Sequence, residues 1–378
     1  MKRTPVLLAA GLAGLLALAG CAANEESPQT SPAADTTTAA PDETPTEEPT
    51  GQLSGELTGV GASSQTAAQE AWRAGFANLQ PGVTVNYDPQ GSGGGRQQFA
   101  DGASDFAGTD AAFKDEEIAD GAFSRCASPE IVEIPAYISP IAVVFNLDGI
   151  DLLNMDPATI AGIFTGAITK WNDPAIVASN EGVDLPDSAI VPVHRSDGSG
   201  TTKNFTDYLD QTAAEVWTDG AVEEWPIAGG EAAEKTQGMK ETLSGAAGTI
   251  GYIDASQATG LGAVSIKVGD AWQAFSAEGA AKAVAASELV EGRGPNDLAF
   301  KLNRTTTEAG AYPLVLVSYL VACQQYADPA KGELTKAYLA YVTSAEGQQA
   351  AAANAGSAPL QGESGLADKV LAAVDSIT

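Results

Sequence analysis

Ile190-Val191-Pro192-Val193-His194-Arg195-Ser196-Asp197-Gly198-Ser199-Gly200-Thr201-Thr202 runs from a short β-branched stretch into a cluster of glycine and hydroxyl residues. That pattern predicts a buried strand handing over to a helix. The exposed N–H groups and positive dipole end of a helix start attract an anion; glycine lets the anion approach the backbone, and Ser or Thr adds hydroxyl donors. Arg195 brings a fixed cation with a planar donor fork suited to oxyanions, and Asp197 is close enough to orient it. Three more segments place small residues at such a handover: Gly59-Val60-Gly61-Ala62-Ser63-Ser64, Gly91-Ser92-Gly93-Gly94-Gly95 and Asp105-Phe106-Ala107-Gly108-Thr109-Asp110. Singly, a Gly-Ser run is as readily a flexible loop and a Ser before a helix a plain cap. Three helix starts together suffice to cradle one tetrahedral oxyanion.

From Leu57 onward, short strand-like runs alternate with amphipathic helical patterns, the habit of an α/β protein. Val83, Val85 and Tyr87 alternate after the Pro81-Gly82 turn, and 141–145, 190–193, 250–253 and 314–321 read as buried strands. Ala68, Trp72, Phe76 and Leu79 recur at helical spacing. Asp156-Pro157 reads as an N-cap followed by proline at the first helical position, and late helices are expected near 333–349 and 365–377. These stripes read as core.

The chain has 378 residues, 44% hydrophobic and 18% charged, enough for a real core and about two domains. Lys plus Arg is 19 against 49 Asp plus Glu, a formal net charge of -30. Nucleic acid is excluded as a partner, because phosphate-backbone affinity needs clustered cations. A local anion site is still allowed, since at physiological salt the Debye length is about 8 Å. One His and three Cys, with no CxxC pair, leave no zinc set, and neither metal nor cofactor is expected.

Lys2 and Arg3, an apolar stretch to Ala19 and Leu18-Ala19-Gly20-Cys21 form an address segment, residues 1–21. It is similar to a bacterial lipobox, which implies that Cys21 becomes an acylated N-terminus holding the protein on the outer face of a membrane. Residues 22–54, rich in Ser, Thr, Pro and acidic residues and without Lys or Arg, read as a disordered acidic tether. A glycosylated stalk fits the same composition.

Nucleotide signatures fail. Gly198 to Lys203 lacks the second glycine and the Gly-Lys-Ser/Thr ending of a P-loop, and Gly91-Ser92-Gly93 and Gly59-Val60-Gly61 lack the third glycine of a dinucleotide fingerprint. A serine hydrolase needs a base, and the sole His194 adjoins Arg195, while neither Ser92 nor Ser199 sits in a G-x-S-x-G elbow.

The four segments in this order, with Gly162-Ile163-Phe164-Thr165-Gly166-Ala167-Ile168-Thr169-Lys170-Trp171-Asn172-Asp173-Pro174-Ala175-Ile176, resemble the phosphate-binding protein family of the high-affinity phosphate ABC importer. The resemblance runs from about Gly55 to near the C-terminus. It implies an α/β, two-lobe periplasmic-binding-protein fold (type II-like) with the ligand in the cleft: lobe one 55–136 and 313–378, lobe two 137–312, crossovers near Pro135 and Pro313. It further implies an extracytoplasmic binding protein, not an enzyme, with inorganic phosphate and the importer's membrane subunits as partners. By motif, the ligand set is Ser63, Ser64, Ser92, Asp110, Arg195, Ser199, Gly200 and Thr201, with Asp197 pairing the Arg. Ser64 stands where many members carry an aromatic residue, and Arg96 where an apolar residue or Lys is expected.

In this reading Asp110 selects. Phosphate near neutral pH keeps a proton to donate to a carboxylate, and sulfate does not. Sulfate would meet charge with charge at about 3 Å, roughly 5 kcal/mol at an effective dielectric of about 20. At about 1.4 kcal/mol per decade that exceeds a thousandfold. A receptor for another oxyanion and a phosphate-ester hydrolase are the alternatives; the acceptor carboxylate disfavours the first, and the lack of a metal cluster or Ser-base pair the second. With Cys21 assigned to lipid, an exported location favours pairing Cys126 with Cys323 over two buried thiols.

Overall fold

The computed structural model describes residues 52–360 and 365–378. The address segment, Cys21 and nearly all of the expected tether lie outside the described residues.

In chain order, β1 (Ser54–Gly61) leads through a 3-10 turn, Ser63–Gln65, to α1 (Thr66–Leu79), β2 (Gly82–Asp88), α2 (Ser92–Ala100), β3 (Phe106–Thr109) and the short α3 (Asp115–Ala119). The long β4 (Ile131–Phe145) precedes β5 (Leu152–Met155), α4 (Pro157–Phe164), α5 (Pro174–Ser179), β6 (Val191–Arg195) and α6 (Gly200–Thr212). Then come β7 (Glu231–Ala233), α7 (Lys235–Gly245), β8 (Thr249–Asp254), β9 (Gly262–Val268), β10 (Ala271–Gln273) and α8 (Ala277–Ala285). The pair β11 (Glu288–Leu289) and β12 (Phe300–Lys301) precedes β13 (Val315–Cys323), followed by α9 (Pro329–Thr343), α10 (Ala345–Ala355) and α11 (Leu366–Asp375).

The main strand path is β2-β1-β3-β13-β4-β8-β6-β7, with β9 joining β5 and β10 to β4. β1 lies parallel to β2 and β3, the arrangement that helical crossovers through α1 and α2 produce. β13 enters antiparallel between β3 and β4. β4 is shared: residues up to Pro140 pair with β13, and from Ile141 to Phe145 with β8. It therefore divides the path into a first flank (β1, β2, β3, β13) and a second (β8, β6, β7).

Two prolines punctuate this strand. Opposite Ser318 and Tyr319 the register slips, leaving Ala136 as an extra residue beside Pro135, and Pro140 is the last residue paired with β13. Proline brings no N–H to a ladder and is tolerated at bulges and strand limits. The expected strand 141–145 is thus only the second half of β4, and pairing changes hands at Pro140 and Ile141 rather than near Pro135. Ser54, placed at the end of the tether by composition, is already in β1, opposite Gly82.

The helices follow their local signals with two exceptions. α1 buries Ala68, Trp72 and Phe76, but Leu79 at its end is 48% exposed. The expected helix 333–349 is two helices, split at Ser344, whose hydroxyl accepts the Gly347 N–H at 3.1 Å and so caps α10. Asp156 caps α4 through the Thr159 N–H at 2.7 Å. In the Trp-Asn-Asp-Pro stretch, Trp171 is buried against Phe145 and Asp173 caps α5, so that stretch builds the fold. Cys126 and Cys323 are joined by a disulfide. The described residues hold together as one compact unit.

Candidate anion-binding site

Three of the quoted segments open a helical turn, at Ser63, Ser92 and Gly200, while Asp105–Asp110 ends β3, and the topology brings these ends together. β1 delivers Ser63 and Ser64, β3 delivers Asp110, and Ser92 opens α2. From the second flank, β6 ends at Arg195 and Ser199 caps α6, accepting the Thr202 N–H at 3.1 Å. Ser63, Ser64, Ser92, Asp110, Arg195, Ser199 and Thr201 are all buried.

Asp110 is the centre of the network. Its carboxylate accepts from Ser64 Oγ at 2.7 and 2.8 Å, from Ser318 Oγ at 2.6 Å and from Thr201 Oγ1 at 3.0 Å. Its N–H donates to Ser92 Oγ at 3.0 Å. An ionised carboxylate offers about four lone-pair sites, so these three hydroxyls leave room for a further donor. Burial pushes the Asp110 carboxyl above its ordinary pKa, while the Ser318, Ser64 and Thr201 hydroxyls and the Arg195 charge pull it back.

Arg195 meets Asp197 in a fork, Nε to Oδ1 at 2.7 Å and Nη2 to Oδ2 at 2.5 Å. Burial acts to raise the Asp197 pKa, but the Arg195 hydrogen bonds and charge, with the Lys235 N–H at 3.0 Å, bring it below its ordinary value. Lys235 has φ of 61°, in the left-handed region. With that turn, its own N–H reaches Asp197, and the next one, on Thr236, donates to Ser63 Oγ at 3.0 Å.

Glycine makes the approach of the flanks feasible. A Cβ on Gly200 would lie 2.6 Å from both Asp110 Cβ and Ser92 Oγ, and one on Gly91, at φ of 87°, 2.6 Å from Asp197 Oδ2. The Gly93 N–H donates to the Gly198 carbonyl at 3.3 Å.

Several participants escaped the sequence reading. Ser318 is the one Ser or Thr in the apolar run 314–321, which was the available signal. Thr236 pairs with Ser63, and Asn204 Nδ2 donates to the Asp110 carbonyl at 2.7 Å. Arg96, of open role in the sequence, is engaged by Glu117, Thr109 and Glu223. His194 stacks on Trp225, with its ring nitrogens near the Arg195 and Gly229 carbonyls. Among the described residues no group of three or more His, Cys, Asp and Glu could hold a metal. The arrangement offers hydroxyl and amide donors, one guanidinium and one acceptor carboxylate, which is equipment for holding a small oxyanion.

Known proteins resemble this chain in sequence and in fold. Residues 34–346 match the PBP superfamily domain. Phosphate-binding protein PstS2 of Mycobacterium bovis is 35% identical over 286 residues, 74% of this chain and 76% of that protein. Phosphate-binding protein PstS 2 of Mycobacterium tuberculosis is equally similar, 35% over 286 residues with the same coverage. The fold matches that of PfluDING, a high-affinity periplasmic phosphate-binding protein solved with phosphate bound, with a TM-score of 0.69 at 20% identity over 84% of this chain and 93% of that one. Sequence and fold lead to one place: the chain belongs to the PBP superfamily and, within it, to the family of PstS phosphate-binding proteins.

Proposed function

We propose that this protein captures inorganic phosphate between two lobes outside the cytoplasm and delivers it to the membrane subunits of an ABC importer. Lobe one is 55–136 with 313–378 and lobe two 137–312; the change of β4 partners at Pro140 and Ile141, just past that boundary, supports a division within this strand. Ser63, Ser64, Ser92, Asp110, Arg195, Ser199, Gly200 and Thr201 hold the anion, Asp197 orients Arg195, and Cys21 carries the lipid that keeps the protein at the membrane. No catalytic step is assigned.

The observation that carries this reading is the Asp110 carboxylate, buried and met by hydroxyls from both flanks opposite the Arg195–Asp197 fork. Hydroxyls and N–H groups satisfy the anion's ionised oxygens, Arg195 supplies counter-charge, and the open acceptor site on Asp110 takes the proton that phosphate retains. Closing on the anion is a population shift driven by contacts that only the closed arrangement provides.

Calorimetric titration of protein stripped of bound anion by partial unfolding and refolding tests it. Phosphate binds one-to-one and sulfate gives no heat, whereas Asp110→Asn narrows the phosphate-to-sulfate ratio by at least about a hundredfold, part of the discrimination expected from a like-charge contact. Phosphate silence in the unaltered protein overturns the reading, and an unchanged ratio in the variant removes Asp110 as selector.

A further inference from the structure

Arg96 draws its partners from both proposed lobes. It stands one turn along α2 from Ser92, and its side chain is 3% exposed. Nε donates to both Glu117 oxygens at 3.2 Å and Nη1 to Thr109 Oγ1 at 3.1 Å, all within 55–136. Nη2 donates instead to Glu223 Oε2 at 2.7 Å, and Glu223 lies on the loop after α6, within 137–312. Burial acts to lower the Arg96 pKa, but the hydrogen bonds and charges of Glu223 and Glu117 more than reverse it, so the guanidinium is firmly charged.

Glu223 also belongs to the anion site's framework. Its carbonyl accepts the Ser199 N–H at 3.0 Å, and the loop is pinned to α6 by the Val222 N–H to Thr206 Oγ1 at 2.9 Å. Glu223 therefore travels with Ser199 and α6, as Arg96 travels with Ser92 and α2. Parting of the two proposed lobes would leave Arg96 with Glu117 and return Glu223 to water. The cross-lobe bond would then exist only on closure, where low local polarity strengthens it.

We propose that Arg96 and Glu223 form a latch across the cleft, a pair that holds the lobes closed and sets the rate of phosphate release without touching the anion. The inference rests on the phosphate reading above. Because the latch weighs only open against closed, it scales the affinity of every anion that permits closure by the same factor. Asp110 and Arg195, which face the anion, scale different anions differently.

The test is titration and stopped-flow dissociation of the full chain with inorganic phosphate and with arsenate, which also retains a proton near neutral pH. Glu223→Gln keeps the carbonyl that holds Ser199 and removes only the charge. It weakens phosphate about tenfold, roughly 1.4 kcal/mol, mainly through faster dissociation, and leaves the arsenate-to-phosphate ratio unchanged. Arg96→Gln gives a similar loss, and the double variant loses little more than either single one. If Arg96→Gln fails to fold, Glu223→Gln decides alone. Phosphate affinity within twofold in Glu223→Gln, or a loss confined to one anion, overturns the latch and leaves the phosphate reading standing. An unaltered protein silent to phosphate overturns both.

Discussion

Asp254, the last residue of β8, is buried opposite Ile141, where β4 changes partners. Its carboxylate accepts from Tyr137 Oη and from the Ser256 N–H, each at 3.0 Å. Burial raises its pKa to about 6, against the lowering pull of hydrogen bonds from Ser256, Ser139 and Tyr137. An unfolded Asp titrates near about 3.9, so the folded state holds this proton more tightly. The stabilisation is full below about pH 4 and is lost as pH rises through about 6, a difference of about 3 kcal/mol. Asp254→Asn should therefore raise stability near pH 7 and reduce its fall between pH 4 and 6. Urea unfolding across that range checks it, and an unchanged pH profile counts against the assignment. The proposed ligand residues were legible one by one, because Ser63, Ser92, Asp110 and Arg195 sit in local motifs. Ser318 and Thr236 were not, since they act across 208 residues on Asp110 and 173 on Ser63, beyond what periodicity reads.

Among the elements, α6 carries a sharp demand at its first residue. Gly200 lets the helix start against Asp110 and Ser92, and a methyl there would press on both at 2.6 Å. Gly200→Ala should cut phosphate affinity by about a hundredfold or more while the thermal midpoint of stripped protein stays within a few degrees, since the clash arises between flanks. Calorimetry and melting together check this; unimpaired binding would mean that the flanks do not approach so closely. The core strands were legible from β-branched runs, but the first half of β4 was not, because Pro135, Ser139 and Pro140 disguise it as a turn. The bulge at Ala136 and the exchange of partners at Pro140 accommodate those prolines, and both depend on strands more than a hundred residues away in sequence. The break between α9 and α10 was hidden for a different reason: Ser344 is a weak stop signal within a continuous helical pattern, and only its bond to Gly347 turns it into a cap.

The whole molecule is strongly acidic, at -30, yet Arg96, Arg195 and Arg304 are buried and each is held by a carboxylate. Charge summed over the chain therefore says little about the site, as the short screening length requires. The α/β class was readable from alternation, and the two-lobe layout from the resemblance. Where one flank passes to the other had to come from strand pairing. The Cys126–Cys323 bond spans 197 positions of sequence, so the intervening chain forms a covalent loop that contains the whole of the second flank. A protease that nicks this loop at Glu181, exposed after α5, would sever the peptide chain without releasing either piece. Nicked protein should migrate in denaturing electrophoresis as a single species until thiol is added, and then as two; separation without thiol would show that the bond had not formed. Wherever a protease reaches the folded chain, such a clasp turns a cut that would separate two pieces into one that leaves them joined.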